Sequence, residues 1–331
     1  MNADVLKRVA APNEAAAQTA DYVPPAGPAP VSVQNLVKRY DELTAVAGVS
    51  FEVRRGEVFG LLGPNGAGKT TTVEIIEGLR TRDGGEVTVC GFDPQHTPNE
   101  VKERLGVALQ ATALADEIKV REALELFASF YRRHADIEQL LRTVALEEKT
   151  GSRFDTLSGG QQQRLAIALA LVNDPEVVIL DEPTTGLDAQ ARRELHSMIE
   201  RLKRDGKTVL LTTHYIEEAE RLCDRVAIID HGKIIALGSP RELIAQSRGQ
   251  SRIELRTTVP VTLAELRRIP FVESVAESGG AYVLRSSDAP HALIELVKWM
   301  EAGPHELEDL HITRPTLEDV FIELTGRRIR E

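Results

Sequence analysis

Long apolar runs are missing from this chain of 331 residues. No stretch approaches the roughly 18–20 consecutive apolar residues that are needed to span a bilayer, and the first residues lack the apolar core of a secretory signal. We therefore predict that the chain contributes no membrane span, and that any path through a membrane comes from another polypeptide.

Cysteine and positive charge are also scarce. The two cysteines, Cys90 and Cys223, have no metal-ligand spacing, which predicts reduced thiols in a cytosolic protein. Lys and Arg number 40 against 51 Asp and Glu, giving a formal net charge of −11. This balance argues against a general nucleic-acid binder, whose surface is usually basic, so we expect no nucleic-acid partner.

The first 30 residues differ in composition from the rest. They are rich in Ala and Pro, and such a segment lacks backbone donors and offers little to bury. We predict a disordered tail over residues 1–30, with a partner-binding segment as the alternative. The remaining length and a hydrophobic content of 42% suffice for one large domain and a smaller one.

A glycine-rich segment at residues 63–70 (GPNGAGKT) has the spacing of a phosphate-binding loop. It follows a short apolar run at residues 57–62 and precedes a helical pattern, the context that such a loop requires. Glycines let successive N–H groups approach an anion at the positive end of the helix. Lys69 is predicted to reach the β- and γ-phosphates, and the Thr70 hydroxyl to bind Mg²⁺. The predicted phosphate-loop residues are Gly63, Pro64, Asn65, Gly66, Ala67, Gly68, Lys69 and Thr70.

Two carboxylates, Asp181 and Glu182, end a second apolar run at residues 177–180. A strand that is apolar throughout is typically buried on both faces, and the ligands of such sheets lie beyond the carboxyl ends of the strands. Asp181 is therefore predicted to hold Mg²⁺ through water, and Glu182 to polarise the attacking water as general base. The alternative is a pair of solvated carboxylates.

Between these two features lies a third motif, residues 157–161 (LSGGQ). A phosphate loop alone indicates only a bound nucleotide, whereas the three motifs in this order resemble the ATPase subunit of ATP-binding cassette (ABC) transporters. In that family the motif completes the ATP site of a second subunit. The resemblance therefore implies that Ser158, Gly159, Gly160 and Gln161 contact ATP held by a partner, through backbone donors and the dipole of the helix that begins there.

The resemblance also implies roles for five further residues. His214 resembles the switch histidine that contacts the γ-phosphate, and Gln110 the Q-loop glutamine that joins Mg²⁺ and the attacking water to a helical insertion. Ordinary structural roles are the alternatives for both. Tyr40 resembles the A-loop aromatic that stacks on adenine, with a half-buried strand tyrosine as the alternative. Thr71 is expected to add a phosphate contact, and Asp188 lies in a segment that resembles the D-loop.

The strand and helix patterns, with this resemblance, predict the architecture. We expect an α/β fold: a P-loop NTPase (RecA-like) core with an inserted helical subdomain at about residues 111–173 and an antiparallel β subdomain. The ABC nucleotide-binding domain is expected over residues 31–250, and the spacing of Val120, Leu124, Phe127 and Tyr131 predicts one face of a helix in its insertion. A small α+β accessory domain is expected over residues 251–331. It should contain a hairpin of residues 272–277 and 281–285 around two glycines, and end in a helix with Pro315 at its first position and Gly326 just past its end.

Two such domains are expected to sandwich two ATP molecules head to tail. ATP closes the dimer and hydrolysis lets it reopen, a ligand-biased two-state element that moves a separate transmembrane permease subunit. The second ATP-binding subunit is an identical copy or a related chain. The expected cofactors are ATP and Mg²⁺, and the expected location is the cytoplasmic face of the cell membrane, as a peripheral subunit.

Residues 314–326 (RPTLEDVFIELTG) and 74–79 (EIIEGL) resemble prokaryotic exporter ATPases of the daunorubicin-resistance type. This resemblance implies export of a drug, a lipid or a polysaccharide. Two rival classes stay open: a soluble ABC ATPase with a non-transport role, and an ATPase whose accessory domain binds a regulator or small ligand. A phosphoryl-transferring kinase fits less well, because the LSGGQ motif and His214 have no task in one.

Overall fold

The computed structural model describes residues 27–109, 114–247, 250–303 and 306–329. Gln110 and most of the predicted tail, residues 1–26, lie outside these described residues. The chain divides into two compact units, with the boundary between Pro240 and Arg241. The predicted domain boundary at residue 250 comes after this point.

The strands of the described residues are named in chain order. They are β1 (Val31–Tyr40), β2 (Leu43–Val53), β3 (Val58–Leu62), β4 (Gly84–Val89), β5 (Leu105–Ala108), β6 (Val177–Asp181), β7 (Thr208–Thr213), β8 (Arg225–Asp230), β9 (Lys233–Gly238), β10 (Ser251–Thr257), β11 (Ser274–Ser278), β12 (Ala281–Ser286) and β13 (Leu307–Thr313). The α-helices are α1 (Lys69–Ile76), α2 (Pro98–Lys102), α3 (Val120–Ala128), α4 (Ile137–Thr143), α5 (Gly159–Ala170), α6 (Ala189–Arg204), α7 (Ile216–Leu222), α8 (Pro240–Gln246), α9 (Leu263–Leu266), α10 (Ala289–Glu301) and α11 (Leu317–Thr325).

The first unit is built on a six-stranded sheet in the order β5-β6-β7-β3-β8-β9. All neighbouring strands are parallel except β8 and β9. Strands β3, β6 and β7 are buried along their whole length. The apolar sequence of β3 and the apolar run of β6 up to Leu180 predict this for strands covered on both faces, whereas β7 buries three threonines with its apolar residues. The parallel arrangement brings the carboxyl ends of β3, β6 and β7 to one edge, and this edge carries the candidate site.

A three-stranded antiparallel sheet in the order β2-β1-β4 forms the predicted β subdomain. Its buried residues join those of β3, β6 and α1 in one apolar core. The predicted P-loop NTPase fold with an antiparallel β subdomain is thus confirmed. Strands β4 and β9 had no clear signal in the sequence.

The helical insertion contains α3, α4, α5 and two short 3₁₀ turns, Glu147–Lys149 and Phe154–Thr156. Val120 and Leu124 face the core of this insertion as their spacing predicts. The predicted extension of that helix face to Tyr131 is wrong, because α3 ends at Ala128. The hydroxyl of Ser129 donates to the carbonyl of Leu126 at 2.6 Å, a local bond that competes with continuation of the helix.

The second unit contains an antiparallel sheet in the order β11-β12-β10-β13. Residues of β10, β11, β12, α9 and α10 share its apolar core, and the predicted hairpin of β11 and β12 is present. Helix α11 ends at Gly326 with φ 73°, as predicted, but Pro315 does not occupy the first helical position. Thr316 is the N-cap residue and forms a capping box with Asp319, so the proline precedes the cap.

No helix in the described ranges of either unit combines the length and the apolar character that crossing a bilayer requires.

Candidate active site

The phosphate loop connects β3 to α1, and two of its glycines are required by close contacts. Gly68 is the N-cap of α1 with φ 103° and no side-chain capping bond, and a Cβ there would lie 2.5 Å from the carbonyl oxygen of Ala45. A Cβ on Gly63 would lie 2.2 Å from the carbonyl oxygen of Ile229. Any larger residue at either position would displace the loop. Because Gly68 has no side chain to cap α1, the backbone N–H groups of the first turn of that helix are available to an anion.

Lys69 places its amine between the loop and a carboxylate of the neighbouring strand end. Its Nζ donates to the carbonyl oxygens of Gly63 at 2.8 Å and Pro64 at 3.2 Å. The same Nζ lies 3.2 Å from Oε1 of Glu182, and both side chains are buried or nearly so. The phosphate loop and the end of β6 therefore meet at this amine.

Glu182 stands between two nitrogen-bearing side chains. Its Oε1 faces Lys69, and its Oε2 lies 3.1 Å from Nδ1 of His214, which follows β7. Thr185 donates its hydroxyl to the same Oε2 at 3.3 Å. The backbone of Glu182 has φ 45°, in the left-handed region that costs a non-glycine residue about 1 kcal/mol or more. Two bonds to Thr212 hold this backbone, since the amide of Glu182 donates to both the carbonyl and the hydroxyl oxygen of Thr212.

The surroundings of Glu182 favour its ionised form. Burial by itself would raise the pKa of Glu182, but Lys69 and His214 outweigh it and hold that pKa below the usual value of 4.5. A carboxylate that stays ionised at neutral pH can accept a proton from water, which is the requirement for a general base.

Asp181 is buried beside Glu182 and differs from it in electrostatics. Burial, with a contribution from Glu182, raises the pKa of Asp181 although Thr212 and Lys69 oppose the shift. The hydroxyl of Thr212 donates to Oδ1 of Asp181. Thr212 thus orders the carboxylate of Asp181 and the backbone of Glu182, a role that the sequence did not reveal. Its only signal is a hydroxyl residue in a strand where Val, Ile and Leu would be expected.

A second unpredicted residue, the acid Glu77, is buried just after helix α1. Both of its carboxylate oxygens lack a hydrogen-bond partner in the part of the chain that the structure describes. Burial, with contributions from Asp181 and Glu74, raises the pKa of Glu77 to about 8, so at neutral pH its protonated form is favoured.

The residues predicted to bind Mg²⁺ offer only hard oxygen donors. These are the exposed hydroxyl of Thr70 and the carboxylate of Asp181. The described residues contain no group of three or more His, Cys, Asp and Glu side chains suited to a metal ion. Such a donor set fits Mg²⁺ that keeps waters and substrate phosphates as its other ligands, rather than an all-protein metal site.

The signature motif, residues 157–161, begins helix α5. Ser158 is the N-cap: its Oγ accepts from the amide of Gln161, and the Gln161 side chain accepts from the amide of Ser158 at 2.9 Å. A Cβ on Gly160 would lie 2.7 Å from Cβ of Ala191, so this glycine lets α5 approach α6, whereas a Cβ on Gly159 would meet nothing within 4 Å. No hydrogen bond or ion pair among the described residues joins this motif to the phosphate loop.

The remaining predicted residues are placed as follows. Asp188 caps α6 by accepting from the amides of Gln190 and Ala191 at 2.9 and 2.8 Å. Tyr40 ends β1 half-buried, with the amine of Lys38 5.4 Å and the guanidinium of Arg80 5.2 Å from its ring centroid. Its stacking on adenine stays a prediction, as does a phosphate contact from Thr71, which lies half-buried in the first turn of α1. Gln110 lies outside the described residues.

Comparison with known proteins is consistent along almost the whole chain. The family model described as ABC transporter matches residues 46–185. Nod factor export ATP-binding protein I of Burkholderia pseudomallei is 43% identical over 307 residues, 91% of this chain and 98% of that protein. The protein of the same name from Ralstonia nicotianae is 41% identical over 324 residues, 94% of this chain and 99% of that protein.

Solved structures match about two thirds of the chain. The structure of an ATP binding subunit of an ABC transporter has a TM-score of 0.59 at 30% identity, over 65% of this chain and 92% of that one. A bacterial ABC transporter cassette solved as a dimer has a TM-score of 0.56 at 28% identity, over 63% and 98%. With relatives above 40% identity over nine tenths of its length, the chain belongs to the ATP-binding subunits of ABC transporters and is an ATPase of that family.

Proposed function

We propose that this chain is the ATP-hydrolysing subunit of an exporter and acts as a head-to-tail dimer with a separate membrane permease. The observation that carries the proposal is the position of Glu182, held between Lys69 of the phosphate loop and His214 of the switch segment. The unit up to Pro240 is the nucleotide-binding domain, and the unit from Arg241 is an accessory domain.

In the proposed reaction Glu182 acts as the base. Contact of Lys69 with the β- and γ-phosphates of ATP releases Oε1 of Glu182, which accepts a proton from water as the water oxygen attacks the γ-phosphorus. The bond from that phosphorus to the β–γ bridging oxygen breaks, and ADP and phosphate leave. His214 contacts the γ-phosphate while its ring stays against Glu182, and Tyr40 stacks on adenine.

We assign Thr70 and, through water, Asp181 as the protein ligands of Mg²⁺ bound with ATP, with Gln110 as a further ligand. When bound, the ion would neutralise charge on the β- and γ-phosphates. Thr212 keeps Asp181 in place through its hydroxyl.

The signature motif is proposed to act on the ATP of the partner subunit. Ser158 and Gly159 are exposed, and Gly159 has open space around its missing Cβ. No contact among the described residues requires glycine at position 159, and alanine would stabilise a helix by about 1 kcal/mol more than glycine. Close approach of a phosphate to the backbone explains a glycine there. Asp188, which caps the adjacent helix α6, would face the same interface.

An exposed apolar patch supports a membrane partner for the helical insertion. Phe130 is 67% and Leu79 63% exposed, and both line a cavity of about 470 Å³ beside β5 together with Leu109 and Phe127. Contiguous exposed apolar residues commonly mark interaction sites. We propose that the permease docks here, which would place the subunit at the cytoplasmic face of the membrane.

The cargo is proposed from the relatives' names. Proteins 41–43% identical to this chain are named Nod factor export ATP-binding protein I, so a Nod factor or a chemically related lipid or polysaccharide is the first candidate. A soluble ABC ATPase without a permease is the alternative. Co-purification of this chain with an integral membrane protein would decide between them.

The dimer mechanism is tested by mixing two inactive variants, Ser158→Ala and Glu182→Gln. In a mixed dimer one site combines both defects, and the other joins an intact phosphate loop to an intact signature motif. Each variant alone should hydrolyse ATP at least about 100-fold more slowly. Random pairing should restore roughly a quarter of wild-type activity, because about half of the dimers then contain one intact site of two.

Mixing Ser158→Ala with Ser158→Ala/Glu182→Gln is the matched control, since no pairing of these chains creates an intact site. No recovery in the first mixture would mean that the signature motif does not act on the partner's ATP. Recovery in both mixtures would point to an unrelated cause, such as stabilisation at higher protein concentration.

A further inference from the structure

Two buried polar side chains outside the catalytic cluster face each other between helices α6 and α7. Nε2 of His196, on α6, lies 3.2 Å from Oε1 of Glu218, on α7. His196 is 7% and Glu218 2% exposed, and the second polar atom of each side chain, Nδ1 and Oε2, has no hydrogen-bond partner among the described residues. Burial of two polar groups with a single contact is unfavourable for stability, so packing alone does not account for the pair.

The pair lies close in sequence to the switch histidine. Glu218 comes four residues after His214, about one helical turn, and α7 begins at Ile216. Helix α7 therefore helps to set where His214 lies, and Glu218 is its buried contact with α6. A partly exposed ion pair, Arg221 on α7 with Glu200 on α6 at 3.2 Å, joins the same two helices.

A second contact joins α6 to the same segment one turn earlier. The guanidinium of Arg192 lies 4.9 Å from the ring centroid of Tyr215, and that ring lies 4.1 Å from the ring of His214. Arg192 and His196 are four residues apart and so share one face of α6. Besides the Arg221–Glu200 ion pair, helix α6 thus contacts the switch segment, residues 214–222, at two points, one beside the imidazole of His214 and one at Glu218.

The N-terminal end of helix α6 contacts the signature motif. Gly160 of α5 lies directly against Ala191 in the first turn of α6, one residue before Arg192. Helix α6 therefore contacts both the motif that is proposed to meet the partner's ATP and the segment that carries His214 of its own chain.

We propose that His196 and Glu218 are positioning residues, whose contact fixes α7 on α6 and thereby sets the imidazole of His214 against Glu182 for hydrolysis. Neither residue touches ATP. Through α6, a shift of the signature motif on the partner's ATP is passed to His214 of the same chain. This proposal rests on the proposed role of His214 in hydrolysis.

The test compares two substitutions of His196 in the full-length chain, with kcat, KM for ATP and thermal stability measured for each. His196→Leu removes the donor and should lower kcat about tenfold with KM within about twofold of wild type, since His196 itself does not contact ATP and the phosphate loop that binds it is unchanged. His196→Gln keeps an N–H that can reach Glu218 and should recover to within about twofold. Glu217→Gln, which alters the exposed neighbour on α7, is the control and should match wild type.

A purely structural pair would give a different result. His196→Leu would then melt at a lower temperature while kcat per folded molecule stayed at the wild-type value, which would overturn the proposal. If His196→Leu does not fold, Glu218→Gln keeps the size of the side chain and decides in the same way: a lowered kcat with unchanged KM supports the proposal, and an unchanged kcat rejects it.

A double-mutant cycle separates this proposal from the role of His214 itself. In a His214→Asn background His196→Leu should cost no further activity, because the group that it positions is already gone. Equal losses in both backgrounds would mean that His196 acts elsewhere. If His214→Asn alone leaves hydrolysis at the wild-type rate, the proposed role of His214 fails first.

Discussion

The catalytic cluster, which consists of Lys69, Asp181, Glu182 and His214, and the signature motif at residues 157–161 are opposites in construction. The cluster is buried, and its members contact one another and the strands that carry them. Ser158 of the signature motif is exposed, and its bonds are to its own helix. Both regions use a helix N-terminus, yet only one is completed within the chain.

This difference indicates that the surface around the signature motif binds a partner. A buried cluster whose members lie at ion-pair and hydrogen-bond distances within the chain is ordered before ATP arrives, which favours electrostatic preorganisation. An exposed motif whose glycine has no steric reason within its own chain is fitted for contact with another molecule. Changes in the cluster should therefore affect every step of hydrolysis, whereas changes in the motif should affect only the closed dimer.

The largest expected effect comes from removing the base. Glu182→Gln should lower hydrolysis by about 10²–10⁴-fold while ATP still binds, and should trap the closed dimer. Single-turnover hydrolysis and size-exclusion chromatography with ATP measure both results. The exposed Glu148→Gln is the control. Near-normal turnover of Glu182→Gln would remove Glu182 from the role of base.

The next largest effect should come from the signature motif. Ser158→Ala and Asp136→Ala each remove an N-cap side chain, so each should lower the free energy of unfolding by about 1 kcal/mol. Only Ser158→Ala should lower hydrolysis, by about 100-fold. Denaturant titration and steady-state turnover test this pair, and equal activity of the two variants would contradict the proposed contact.

Substitution of the switch histidine should change the pH profile. Glu182 must be ionised to accept a proton, so hydrolysis falls as the pH drops through its pKa. His214 is one of the two groups that hold this pKa below 4.5, and His214→Asn should therefore move the acid limb of kcat/KM to higher pH, with turnover about tenfold lower. An acid limb that stays in place would show that His214 does not act on Glu182.

The two glycines of the signature motif should respond differently to alanine. Gly159→Ala meets open space, so it should raise helix stability by up to about 1 kcal/mol while hydrolysis falls several-fold. Gly160→Ala places its Cβ against Ala191 and should destabilise the fold by about 1–3 kcal/mol. Thermal melts and turnover of both variants test this contrast, which fails if Gly159→Ala keeps full activity.

The smallest effect on hydrolysis is expected for a substitution of Glu77, which should change stability instead. Its pKa is about 8 in the folded chain and near 4.5 when unfolded, so the folded state retains a proton that the unfolded state loses, and stability falls as pH rises from 4.5 to 8. Glu77→Gln should remove this loss and raise the free energy of unfolding by up to about 4 kcal/mol at pH 8 but little at pH 4.5. Urea titrations at the two pH values measure it, and an equal gain at both would contradict the account.

The predictable part of this molecule lies where chemistry and periodicity coincide. Strands β3, β6 and β7 each contain a short apolar run, and Gly63, Asp181 and His214 lie at or just after the ends of these strands, so their convergence at one sheet edge could be inferred. The start of α11 could not be inferred in the same way. Pro315 suits the first helical position and Thr316 suits the N-cap, and only the folded structure decides which of the two begins the helix.

Features that depend on burial could not be read in advance. Glu74 and Glu77 are three residues apart in one helical sequence pattern. Glu74 forms an ion pair with Arg80, whereas the carboxylate of Glu77 has no hydrogen-bond partner among the described residues. Strand β13 is polar and largely exposed, so it lacks the alternation that reveals a strand. The His196–Glu218 pair joins residues 22 positions apart, a proximity that exists only after α6 and α7 pack.

The left-handed backbone of Glu182 has a consequence for engineering. Glycine would relax that torsion. A library screened only for thermal stability should therefore enrich glycine at position 182 and yield more stable variants that no longer hydrolyse ATP. Thermostable derivatives of this enzyme should therefore be sought under selection for turnover.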